Sequence, residues 1–258
     1  MHFYKYQGTG NDFILLDNRD GSCSTLPTEQ VRAMCDRHFG IGADGLMLLN
    51  TAEGYDFGMT YYNSDGREST MCGNGGRCIT AFARRLGLTS QQAHFVAIDG
   101  PHEALFAADG TVRLHMQDVS GIRAHETYFE LNTGSPHYVA FTEDLAALDM
   151  KREGALIRYS PMYKEQGINV NFVEPDADGK LFVRTYERGV EDETLSCGTG
   201  VTAVAMVHLM HRSGPGEVQI RTLGGSLRVE ATHHGGQQFS DVWLCGPAEY
   251  VFEGEWGE

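Results

Sequence analysis

The residues best suited to chemistry are two cysteines, each set in a stretch that occurs twice. Tyr61-Tyr-Asn-Ser-Asp-Gly-Arg-Glu-Ser-Thr-Met-Cys-Gly-Asn-Gly-Gly-Arg-Cys78 is answered by Thr185-Tyr-Glu-Arg-Gly-Val-Glu-Asp-Glu-Thr-Leu-Ser-Cys-Gly-Thr-Gly-Val201. Each copy runs from a strand-like segment through a turn to a Cys-Gly-x-Gly step, then into a helical pattern. Cys72 and Cys197 stand 125 positions apart, as do Asn63 and Arg188. A cysteine ahead of glycines that open a helix meets backbone N–H groups and the positive end of the helix dipole, which favour an anion. That setting lowers a thiol's pKa and offers a cradle for a carboxylate. The plainer reading of one such copy is a buried, inert cysteine beside a helix start; two matched copies point to chemistry. With one thiolate removing a proton and a second thiol delivering one to the opposite face, a stereocentre inverts without a cofactor. Helix N-termini aimed at a carboxylate would stabilise the carbanion, as an oxyanion hole does. A pseudo-twofold fold would bring both thiols to one cleft, close enough to form a disulfide when oxidised.

The elements that must position these residues also repeat. Phe3–Tyr6 and Ile14–Asp17 read as strands around the glycine-rich turn 7–12, and strand 127–131 leads to its counterpart, Asn132-Thr-Gly-Ser-Pro-His137. Helices are expected after Pro27 with Thr28 as N-cap, around 143–152 capped by Thr142, after Cys72, and over 201–211. The last is apolar nearly all round, which calls for burial on every side, as by a sheet wrapped around it. Strands are expected at 45–50, 56–62, 94–98, 104–107 and 112–116, then at 169–174, 180–186, 218–222, 225–231, 242–245 and 249–252. The domains are therefore 1–118, carrying Cys72, and 119–258, carrying Cys197, with a linker at 117–124 and the last strand able to return to the first half. Cys35, Cys78 and Cys245 read as core, and His233–Gln238 as a solvated hairpin tip rather than a metal site.

Composition bounds the partners. The chain has 258 residues, enough for two domains with proper cores, and a formal net charge of −15. That charge excludes nucleic acid and anionic membrane surfaces as partners. Six scattered cysteines indicate a reducing compartment. No apolar run is long enough to span a membrane, so a cytoplasmic protein is expected.

Taken together, Gly8-Thr-Gly-Asn-Asp-Phe13, Phe39-Gly-Ile-Gly-Ala-Asp44, Asn63-Ser-Asp-Gly66, Cys72-Gly-Asn-Gly75, Ser135-Pro-His137, Glu187-Arg-Gly189 and Cys197-Gly-Thr-Gly200 closely resemble the diaminopimelate epimerase family along essentially the whole chain. The resemblance implies an α+β (or α/β) fold of two pseudo-symmetric domains, each a mostly antiparallel sheet rolled around a central helix, with the active site in the interdomain cleft. It implies a cofactor-independent, metal-free, two-base epimerisation of LL- to meso-diaminopimelate, on the route to lysine and peptidoglycan, by a homodimer. Cys72 and Cys197 match the acid/base pair. Asn11, Asn63, Asn169, Glu187 and Arg188 match substrate-binding positions, Gly73, Asn74, Gly198 and Thr199 the turns that hold the reacting carboxylate, and His137 and Glu187 positions that tune the cysteines. Arg188 suits a bidentate pair with a distal carboxylate, and Glu187 an ammonium group. Many members carry Asn at Ser135 and Gln at Gly45.

Two other readings use the same residues. One is a racemase or epimerase of another amino acid, against which the Asn11, Asn63 and Glu187-Arg188 set argues by implying a second polar end on the substrate. The other is a protein that holds an anion at its helix starts without chemistry; cysteine at both matched positions is not needed for that.

Overall fold

The computed structural model describes residues 1–257. Contacts divide the chain into two compact units: Met1–Leu114 together with the C-terminal segment from Gly246, and His115–Cys245. Each is built mainly of strands.

In the first unit the strands are β1 (His2–Gly8), β2 (Asn11–Asp17), β3 (Gly45–Asn50), β4 (Phe57–Asn63), the short β5 (Glu68–Ser69), β6 (Gln92–Ala97), β7 (Gly100–Phe106) and β8 (Val112–His115). In the second they are β9 (Arg123–Ala124), β10 (Phe129–Asn132), β11 (Pro136–Phe141), β12 (Asn169–Pro175), β13 (Leu181–Glu187), the short β14 (Asp192–Thr194), β15 (Gly214–Thr222), β16 (Gly225–His233) and β17 (Phe239–Gly246). The last strand, β18 (Glu249–Glu255), pairs with β1. Pairing runs β18-β1-β2-β3-β4-β6-β7-β8 in the first unit and β9-β10-β11-β12-β13-β15-β16-β17 in the second. The parallel steps fall at matching places, β2–β3 and β4–β6 in one and β11–β12 and β13–β15 in the other. All remaining neighbours are antiparallel, so each unit is the mostly antiparallel sheet expected from the sequence.

Four α-helices complete the fold: α1 (Thr28–Cys35), α2 (Gly73–Arg85), α3 (Met150–Arg158) and α4 (Gly198–Leu209). Every residue of α4 from Gly200 to Val207 is buried, and it packs on β10, β11, β12, β13, β15 and β16. A helix that touches six strands of one sheet is a central helix, which is what its all-round apolarity requires. In the first unit α2 is the counterpart, buried from Gly73 to Thr80 and packed on β1, β2, β3 and β18. Gly75 permits this approach, since a Cβ there would lie 2.3 Å from the Met47 methyl carbon.

Several local expectations need correction. Thr28 is the first residue of α1, not its cap; Pro27 takes the cap position in an extended conformation, and its carbonyl accepts from Gln30 and Val31. The helix expected at 143–152 is a 3-10 turn (Leu145–Ala147) followed by α3, which Asp149 caps by accepting from the Arg152 N–H at 3.1 Å. Thr142 is instead tied to the sheet, its N–H donating to the Val173 carbonyl. Within the segment 117–124 expected as the linker, Val119 pairs with Phe239 and Ile122 is fully buried. His233 is not part of a solvated tip: it is buried in β16, stacked on Phe239, with its ring nitrogens near the carbonyls of Arg212 and Gly236. The exposed tip that follows is closed by the Gln238 N–H donating to the Gly235 carbonyl, with Gly235 and Gly236 both at positive φ.

Candidate active site

In the first unit, a hairpin and a helix start build the surroundings of Cys72. β1 and β2 are joined by Thr9 and Gly10, both at positive φ (53° and 84°), the pairing a type I′ turn demands. This tight turn places Asn11 at the head of β2. Cys72 is the N-cap residue of α2 but its thiol does not cap the helix; instead its carbonyl accepts from Gly76 at 2.7 Å. The thiol lies 3.6 Å from the Asn11 Oδ1, which also accepts from the Asn74 side-chain amide at 3.2 Å. Cys72, Asn11 and Asn74 are thus one hydrogen-bonded group.

Asp44 orients that group, and sequence reasoning missed it. Its Oδ2 accepts from the Asn11 Nδ2 at 2.5 Å, leaving the Asn11 Oδ1 turned to the thiol. Asp44 is held in turn by Arg37, which also bridges to Asp12. Asp12 pairs with the buried Lys5 at 2.7 Å, and Lys5 donates to the Gly42 carbonyl as well. Burial works to raise the Asp12 pKa, but its hydrogen bonds to Arg37 and Lys5 outweigh that and bring it down to about 2. The signal was present in the Gly-Ile-Gly-Ala-Asp44 motif, yet nothing in its spacing says what the carboxylate holds.

Asn63 ends β4, is paired in register with Gly45, and is exposed. Gly45 has no room for a side chain: a Cβ there would lie 2.5 Å from the Tyr61 ring and 2.6 Å from the Tyr62 carbonyl. The Tyr61 ring fills the space that a residue at 45 would need.

In the second unit Cys197 is likewise the N-cap residue of its central helix, and its sulfur lies 3.5 Å from the Thr199 hydroxyl. Thr133, in the loop after β10, donates to the Thr199 carbonyl and ties that loop to the helix start. Gly200 keeps the helix tight against β12, since a Cβ would lie 2.4 Å from the Asn171 Oδ1 and 3.3 Å from the Cys197 sulfur.

Ser135, Asn169 and Arg188 form a second group. Asn169 donates to the Ser135 hydroxyl at 2.8 Å and to the Pro136 carbonyl, while its Oδ1 accepts from the Arg188 N–H at 2.8 Å. The Arg188 guanidinium reaches Ser135 at 3.4 Å and the Gln166 carbonyl at 3.1 Å. Glu187 accepts from the Thr194 hydroxyl at 3.0 Å. His137 is fully buried, and burial, reinforced by the charge of Arg188, pushes its pKa down to about 3, so the ring is neutral.

The other thiols differ in setting. Burial pushes both Cys78 and Cys35 up to about 12, consistent with packing roles. Among the described residues no group of three or more His, Cys, Asp or Glu is arranged to hold a metal ion, and no helix is long and apolar enough to cross a membrane.

Solved structures share this fold across nearly the whole chain. A phenazine biosynthesis protein of the PhzF family from Bacillus anthracis matches with a TM-score of 0.78 at 13% identity, covering 98% of this chain and 97% of that one. A hydroxyproline epimerase from Agrobacterium vitis, solved with trans-4-hydroxy-L-proline, matches with a TM-score of 0.72 at 16% identity, covering 98% and 91%. The architecture is therefore the two-domain, sheet-dominated α+β fold found in those proteins. Sequence narrows the class. The family model described as diaminopimelate epimerase matches residues 3–120 and 129–251. A diaminopimelate epimerase from Flavobacterium psychrophilum is 48% identical over 254 residues, 98% of this chain and 99% of the relative; one from Chlorobaculum tepidum is 43% identical over 256 residues, 96% and 98%. The chain belongs to the diaminopimelate epimerase family.

Proposed function

We infer that the protein interconverts LL- and meso-diaminopimelate by a two-base, cofactor-independent mechanism. One observation carries the chemical part: both central helices begin immediately after a cysteine, in the repeated Cys-Gly-x-Gly step. Family membership supplies the substrate. In the reaction one thiolate takes the α-hydrogen as a proton, so that the Cα–H bond breaks and an S–H bond forms. The other thiol gives its proton to the opposite face, leaving a thiolate and an inverted centre. The first-turn N–H groups of α2 and α4 receive the α-carboxylate, whose oxygens take up charge as the carbanion forms. Gly73, Asn74, Gly198 and Thr199 lie in those turns; Asn11, Asn63, Asn169, Glu187 and Arg188 bind the rest of the substrate, and His137 and Glu187 act on the cysteines. The enzyme works as a homodimer in the cytoplasm, on the pathway to lysine and peptidoglycan.

The test is proton exchange in deuterated water, followed by NMR, with LL-diaminopimelate and reduced protein without added cofactor. Meso product with deuterium at one α-carbon is expected. If the substrate stays inert while the protein is folded and reduced, the substrate assignment fails, and other amino acids with two polar ends are tried next.

A further inference from the structure

Arg77 lies on α2, four residues beyond Gly73, and is fully buried. Its guanidinium donates to oxygens from three separate segments of the first unit, each at 3.3 Å: Nη1 to the Gly73 carbonyl in the first turn of the helix, Nη2 to the Thr9 hydroxyl in the β1–β2 turn, and Nε to the Pro247 carbonyl ahead of β18. The Thr9 hydroxyl gives its own hydrogen to the Gly8 carbonyl at 2.7 Å, so a lone pair faces Arg77. Thr9 is buried at φ 53°, a left-handed conformation that is costly for a β-branched residue and persists only where its surroundings hold it. Gly8 makes room for the approach, since a Cβ there would lie 3.2 Å from the Asn74 carbonyl oxygen and 3.3 Å from the Arg77 Nη2. One side chain thus braces both the turn that carries Asn11 and the helix start that carries Cys72.

Bracing alone does not call for a cation. A guanidinium keeps its charge, and burying it costs more than burying an apolar side chain of like volume. What the charge adds lies in the bond to Gly73. That carbonyl and the Asn74 N–H are the two ends of one peptide unit, and drawing electron density toward the oxygen makes the N–H a stronger donor. Asn74 is the second residue of α2, so its N–H is among the first-turn donors that face an anion at a helix start. We propose that Arg77 is a positioning residue for the carboxylate cradle: it polarises the Gly73–Asn74 peptide, so that the Asn74 N–H holds the reacting carboxylate most strongly when that group takes up the charge of the carbanion. This rests on the epimerase reading for the role of the cradle, whereas the polarised peptide stands on the Arg77–Gly73 bond alone.

The test compares wild type with Arg77→Met, which keeps the length and buries no charge. In a proton–nitrogen correlation spectrum of the 15N-labelled protein the Asn74 amide is expected to move upfield in both dimensions, while the Thr199 amide at the matching place in α4 stays where it is. An unmoved Asn74 amide overturns the proposal. With LL-diaminopimelate, kcat per folded protein falls about ten- to a hundredfold, the loss of a hydrogen bond from a charged group. KM stays within about threefold, because the interaction strengthens only in the transition state. A purely structural Arg77 would lower the melting temperature and leave kcat per folded protein unchanged, and that result overturns the proposal. Should the methionine variant fail to fold, Arg77→Lys replaces it: the ammonium keeps the charge but not the planar fork, so a smaller Asn74 shift and a smaller loss of kcat are expected. An unmoved Asn74 amide with full kcat in the lysine variant overturns the role given to Arg77. If the wild type turns over no diaminopimelate, the function above fails, while the Asn74 amide still decides whether Arg77 acts on that peptide.

Discussion

At the scale of single residues, the six cysteines do different things because their surroundings differ. Cys78 is fully buried on α2 with its pKa pushed up to about 12, while Cys72 sits at the start of the same helix against Asn11. Cys72→Ala and Cys197→Ala are each expected to lower epimerase kcat by about a thousandfold, whereas Cys78→Ala leaves kcat unchanged and costs about 1 kcal/mol of stability. Steady-state rates and urea midpoints of the three variants check this. Asp12 offers a pH test. Its folded pKa of about 2 lies below the unfolded value of 3.8, so its ion pairs with Lys5 and Arg37 stabilise the fold above pH 3.8 and stop doing so as pH falls through about 2. The shift corresponds to about 2 kcal/mol, and Asp12→Asn adds to that loss by leaving Lys5 buried without its carboxylate. Urea unfolding is therefore expected to separate wild type from Asp12→Asn clearly at pH 6 and much less at pH 2.5, with the wild type losing its advantage. An equal gap at both pH values contradicts this account.

At the scale of elements, the start of each central helix is where packing and chemistry compete for space. Gly200 lies in the first turn of α4, and a methyl there meets the Asn171 Oδ1 and the Cys197 sulfur together. Gly200→Ala is expected to displace Asn171 and cost about 1–3 kcal/mol from overpacking, with kcat falling further than stability alone explains. Thermal unfolding and kinetics on the same preparation read the two effects. Gly45 shows the same competition in β3: the Tyr61 ring and the Tyr62 carbonyl take the volume that a side chain there would need.

For the whole molecule, two units share one strand order and one placement of parallel steps, each with a central helix opened by a cysteine. Such duplication is economical for a reaction that needs like groups on both faces of one carbon. β18 hydrogen-bonds to β1 on one side and exposes Tyr250, Val251 and Phe252 in succession, an apolar strand of the kind that association covers. With the proposed homodimer, light scattering is expected to give twice the chain mass; a monomer mass at working concentrations rules the dimer out.

The sequence by itself determined the two Cys-Gly-x-Gly helix starts, the duplication and the all-apolar α4, because these depend on local spacing and on periodicity, which neighbours in the chain already carry. It also showed Asn11, Asn169, Arg188 and His137 as candidates through a resemblance. Only the tertiary structure decided what holds them. Asp44 reaches Asn11 across 33 residues, and Asn171 reaches His137 across 34. Both contacts are made by strand pairing between β2 and β3 and between β11 and β12, and the side chain that meets another across a sheet is set by register, not by distance along the chain. The helix misplaced at 143–152 has the same origin. Thr142 offered a cap by type, but its N–H goes to Val173 in sheet-like pairing, and Asp149 starts α3 instead.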